Sequence, residues 1–101
     1  MTDLKELSVG QMVQLKCLAG RGMFPHESAV LIRGATQHYE AMIDSELVQV
    51  SGETSPDDER QASIHVRVVN TRDDGSMLVE LPRQVITGGR RIWVPLSEIE
   101  T

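Results

Sequence analysis

Residues 63–95 read SIHVRVVNTRDDGSMLVELPRQVITGGRRIWVP, and this stretch decides the fold. From Ser63 to Val69, β-branched and polar residues alternate, and a turn follows at Asp73-Asp74-Gly75-Ser76. A second run, Met77 to Leu81, resumes the alternation until Pro82, which has no backbone donor to give a ladder. Gly88-Gly89 then precede a third run, Arg91 to Val94. Alternating runs separated by Asp-Gly and Gly-Gly are strong short-range signals of antiparallel hairpins. The period of two assigns faces: Ile64, Val66, Val68, Val79, Leu81, Ile92 and Val94 turn inward, while Arg67, Arg91 and Trp93 turn outward. A slip of one residue would exchange the two sets. Gln84 to Thr87 is expected to pair with Arg91 to Val94 across the glycines.

Working toward the N-terminus, 51–61 (SGETSPDDERQ) is polar throughout and reads as a mobile loop. Its acids lack the alternate spacing, glycine and closing glutamate of a calcium loop. Residues 37–50 allow two readings. Glu40, Ala41, Met42 and Glu46 favour a helix by propensity. The β-rich Leu47-Val48-Gln49-Val50 and the neighbouring runs favour two strands around Asp44-Ser45. A strand is expected over Ser28 to Gly34, with Val30 and Ile32 against Leu31 and Arg33, and another over Gln11 to Ala19, with Val13, Leu15 and Cys17 on one face. Between them, Met23 and Phe24 are expected to fold back and plug one end of the core. Residues 1–8 read as a lead-in or a single amphipathic turn.

These elements predict an all-β chain of six or seven short strands, a small antiparallel barrel or rolled sheet of the SH3-like or OB-like kind. A length of 101 residues fits one domain spanning 1–101, and no internal repeat is apparent. With one Phe, one Tyr and one Trp, the core must be aliphatic.

The formal charge of -5 opposes wholesale binding to polyanions. Cys17, the only cysteine, cannot form an internal disulfide and reads as a small buried hydrophobe. No signal-peptide pattern or membrane-length apolar run is read, so a cytoplasmic location is expected. His26, His38 and His65 lack zinc-ligand spacing, and no Gly-x-Ser-x-Gly occurs. The expectation is therefore a protein that is not an enzyme and takes no metal or cofactor. Arg67, Arg83, Arg90, Arg91 and Trp93 are the candidate ligand-binding residues, since guanidinium beside indole suits acidic or stacked ligands. The expected function is a non-catalytic interaction module that binds a protein partner or a second copy through the C-terminal hairpin face. The alternative is a nucleic-acid-binding barrel using the same Arg/Trp face.

Overall fold

The computed structural model describes residues 9–50, 60–86 and 88–100. Eight strands follow in order: β1 (Met12–Arg21), β2 (Glu27–Arg33), β3 (His38–Asp44), β4 (Val48–Val50), β5 (Arg60–Thr71), β6 (Ser76–Glu80), β7 (Arg91–Pro95) and β8 (Ile99–Glu100). The sheet is antiparallel, in the order β3-β2-β1-β5-β6-β7, with β4 added to β5 and β8 added to β1. It rolls into a half-barrel around a core of Val, Ile, Leu, Ala and Met. No helix among the described residues is long and apolar enough to cross a membrane.

The all-β reading holds, and the alternation assigned both faces as expected. Ile64, Val66, Val68, Val79, Leu81, Ile92 and Val94 are all buried. Each such side chain contributes about 1.5–3 kcal/mol by leaving water. Residues 37–50 form two strands, with Ala41 and Ile43 buried and a 3-10 turn at Ser45–Leu47 between them. Eight strands form rather than six or seven because this turn, and a second at Leu96–Glu98, each release a very short strand.

The two turns expose a repeat that the residue identities hide. In the first, the N–H of Val48 donates to the Ser45 carbonyl; in the second, that of Ile99 donates to Leu96. Ser45 N–H donates to His26 O at 2.8 Å, and Leu96 N–H donates to Gly75 O at 2.8 Å. The strand pairs correspond in the same way. Leu18–Leu31 matches Arg67–Glu80, Ala19–Val30 matches Val68–Val79, and Val30–Ala41 matches Val79–Ile92. Leu15 pairs with Ile64, and each also takes the other half's short strand: Ile99 on Leu15, Val48 on Ile64. An approximate twofold axis therefore passes through the Leu15–Ile64 pair. It relates β1–β4 to β5–β8.

Three details differ from the sequence reading. Met23 and Phe24 do not plug the core: they are 78% and 58% exposed at the β1–β2 tip. The tip is closed by Glu27 N–H donating to Phe24 O, too tight a turn for the side chains to reach back inside. Val85 pairs not with β7 but in an isolated bridge with Ala41, and Ile86 N–H donates to Glu40 O. The β6–β7 connection thus covers the free edge of β3, while β6 itself takes the place beside β7. Arg60 and Gln61, expected to end a loop over 51–61, instead open β5 opposite Ala19 and Leu18. Residues 51–59, like 1–8, lie outside the described residues. The Asp-Gly turn sits where expected, with Gly75 at φ +89°, a conformation that side chains disfavour.

Candidate functional site

The outer surface divides along the twofold axis, and its two halves carry different chemistry. On the β5–β6–β7 side, Arg67, Glu80 and Arg91 form one cross-strand row. Arg67 Nη2 donates to Glu80 Oε1 at 2.8 Å, and Arg91 Nε donates to Oε2 at 3.2 Å. The hydrogen bond from Arg91, then the charge of Arg67, hold the Glu80 carboxyl below the usual carboxylate range. In the next row Leu78 lies opposite Trp93, and the guanidinium of Arg72 sits 3.6 Å from the indole centroid. A bulge between Val68 and Asn70 shifts the register here. At the tip, Ser76 N–H and Oγ donate to Asp74, which lowers the Asp74 pKa.

The structure therefore places the five expected ligand-binding residues as follows. Arg67 and Arg91 share Glu80, and Trp93 shares their outer face but stacks under Arg72. Arg90 donates to the carbonyls of Leu81 and Pro82 at 3.2 and 3.4 Å. Arg83 lies on the covering connection and reaches Glu27 of the other half at 3.8 Å. Arg72 was missed because it lies in the turn, beyond the alternating run.

At the equivalent places on the β1–β2–β3 side, the row is Leu18, Leu31 and Glu40. Leu18 is 38% exposed although it sits mid-strand. The following row, Gly20, Ala29 and Met42, is built from small side chains on two of its three strands, and it leaves a hollow bordered by Leu18 and Leu31. Ile86 stands 63% exposed beside Glu40, where its connection crosses β3. Solvent-facing apolar residues that are contiguous rather than scattered mark interaction surfaces. The sequence signal was present: Leu18 and Leu31 fall in the outward phase of their strands, where polar residues belong.

Beside this patch, a cleft of about 430 Å³ opens along the β1 edge. Lys16, Arg33 and His38 border it from the strands, and Glu98 and Glu100 from the final turn and β8. Lys16 Nζ donates to Ser97 O at 3.3 Å, and Arg33 meets Glu98 at 3.7 Å. Cys17 lines the cleft with its thiol pushed up to about 11, first by burial and then by the charge of Glu100. It is a neutral thiol, which is a poor nucleophile.

The three histidines occupy separate elements. His26 stacks on Phe24 with centroids 6.2 Å apart, His38 begins β3, and His65 is mid-β5. Among the described residues no three His, Cys, Asp or Glu side chains gather in a metal-binding group. Comparison with known protein families, with curated proteins and with solved structures finds no match.

Proposed function

We propose that the chain is a non-catalytic interaction module that docks a protein partner on the outer face of its first half. The observation that carries this reading is the contrast at twofold-related positions. Where the second half closes its surface with Arg67–Glu80–Arg91, the first leaves Leu18 exposed and Leu31 half-buried beside a hollow. A fold that places ion pairs at one set of sites tolerates them at the equivalent set. Keeping leucines there exposes apolar area, which a partner can cover. The exposed Met23 and Phe24 extend the apolar surface at the tip of the same hairpin, and loop aromatics are common anchors in interfaces. The cytoplasmic location expected from the sequence belongs to this reading.

The compensated charges of the other half favour a protein over a nucleic acid. Arg67, Arg83 and Arg91 each face a carboxylate, so the surface they form is not a strongly positive one.

A photo-cross-linking amino acid tests the reading. It is placed at position 31 (Leu31→p-benzoylphenylalanine) and, for comparison, at the equivalent position 80, in the cells that make the chain. An adduct is expected from position 31 and not from position 80, and Leu18→Arg should abolish it. An adduct at twice the mass of the chain would identify a second copy as the partner. No adduct at 31, or equal adducts at 31 and 80, would overturn the assignment.

A further inference from the structure

The cleft beside the patch carries charge that the fold does not need. In the register that sets Leu18 opposite Leu31 and Arg33 opposite His38, Lys16, Arg33 and His38 fall in one row across β1, β2 and β3. All three are exposed and border the cleft. Glu98 and Glu100 border it from the final turn and β8. The twofold-related positions in the second half hold His65, Pro82, Gly89, Leu47 and Gln49. That half builds the same strands with no formal charge at these places, so the charged set is not required for folding. Arg33 meets Glu98 at 3.7 Å with the Arg33 side chain 71% exposed, and an exposed pair of this kind contributes little to stability. Glu98 is the least satisfied member. Its side chain is 16% exposed, yet among the described residues its carboxylate accepts no hydrogen bond. A half-buried carboxylate short of donors favours an incoming ammonium.

We propose that this cleft binds a free aliphatic α-amino acid, a ligand site beyond the docking reading. With His38 neutral, Lys16 and Arg33 balance Glu98 and Glu100, so the cleft holds both signs without net charge. A phosphate or simple carboxylate would face the two glutamates, and a simple cation would face Lys16 and Arg33. The complementary ligand is itself neutral overall and carries both signs. The signs meet where Arg33 and Glu98 lie 3.7 Å apart, so the ligand's charges must also be adjacent, as they are across one carbon of an α-amino acid. Its carboxylate takes the Arg33 guanidinium, which is exposed enough to turn to it, and its ammonium takes Glu98. Lys16, already donating to Ser97 O, adds charge to the carboxylate side. The aliphatic side chain lies on Leu18 and Leu31, which border the same cleft. Its volume of about 430 Å³ is within the range of small-molecule sites.

The probe is L-leucine, titrated into the isotope-labelled chain and followed by amide NMR shifts. It is expected to shift Leu18, Leu31, Arg33, His38 and Glu98 saturably. Isocaproate lacks the ammonium and isoamylamine lacks the carboxylate, and each should bind at least about tenfold more weakly. So should ε-aminocaproate, which keeps both charges but separates them. Glu98→Gln should weaken leucine by a similar factor, and Arg33→Gln likewise. The site is overturned if leucine gives no saturable shift, if any of the three analogues binds equally, or if the shifts centre on the Arg67–Glu80 face. The analogue series uses the parent chain throughout, so it decides the matter even if a variant fails to fold. Cross-linking from position 31 is read without leucine, so the docking face and the amino-acid site stand or fall separately.

Discussion

The two halves of this protein share a backbone plan and almost nothing on their outer surfaces. Val30 and Val79 coincide, as do the hydrophobic character of Ile43 and Val94 and of Leu15 and Ile64, because these side chains fill the same core. Outside, Leu18 stands where its counterpart is Arg67, Leu31 where it is Glu80, Met42 where it is Trp93. The tips differ as well: Met23-Phe24-Pro25 in one half, Asp73-Asp74 in the other. Packing constrains volume and polarity inside but leaves the outer positions free to diverge. A repeated fold of this kind separates its two constraints cleanly. What agrees between the halves serves folding, and what differs is where function can reside.

The comparison breaks first at its centre. Leu15→Ala and Ile64→Ala remove twofold-related, fully buried side chains, and each should cost about 2–5 kcal/mol in urea unfolding. Their costs should be similar, and a large disparity would show that the two halves do not share the core equally. The tips come next. A Cβ at Gly22 would lie 2.6 Å from the main-chain oxygen of Glu27, whereas one at Gly75 meets open space but must adopt φ +89°. Gly22→Ala should therefore cost about 1–3 kcal/mol by crowding, and Gly75→Ala about 1–2 kcal/mol by backbone strain alone. Crystal structures of the variants would distinguish a displaced hairpin from an intact one.

Exchanging the outer rows sharpens the contrast with little effect on stability. Leu18→Arg with Leu31→Glu should change unfolding free energy by under about 1 kcal/mol, since exposed ion pairs contribute little. The same pair should eliminate cross-linking from neighbouring first-half positions. Arg67→Leu with Glu80→Leu, the reverse graft, should make the second half newly adhesive, visible as concentration-dependent sedimentation.

Titration gives the smallest effects, at opposite ends of the pH scale. Glu80 has its pKa lowered in the fold, first by the Arg91 hydrogen bond, so its contribution is present above the unfolded carboxylate pKa and is lost as pH falls through the folded one. Glu80→Gln should flatten the acid limb of the stability profile. Cys17 is raised from 9.0 to about 11, so folding holds its proton and stability falls as pH rises between those values. Cys17→Val, which copies Val66 from the other half, should remove part of the alkaline loss relative to the parent, as measured by thermal unfolding from pH 8 to 11.

Sequence by itself determined the alternating strands outside 37–50, the Asp-Gly turn and the inward faces. Those features are local: a period of two, an Asp-Gly turn and a proline need no distant partner to be read. It also placed Arg67, Arg91 and Trp93 outward, for the same reason. Only the tertiary structure decided what those side chains meet. Arg72 reaches Trp93 from beyond a bulge, Arg83 crosses to Glu27 in the other half, and Val85 bridges Ala41 rather than its own hairpin. The repeat itself lay beyond the residues, since core positions require only apolar volume and retain few identities. The way β2 and β8 share one edge of β1 was equally hidden, because a register between distant strands is set by how the whole sheet closes, not by any one strand's sequence.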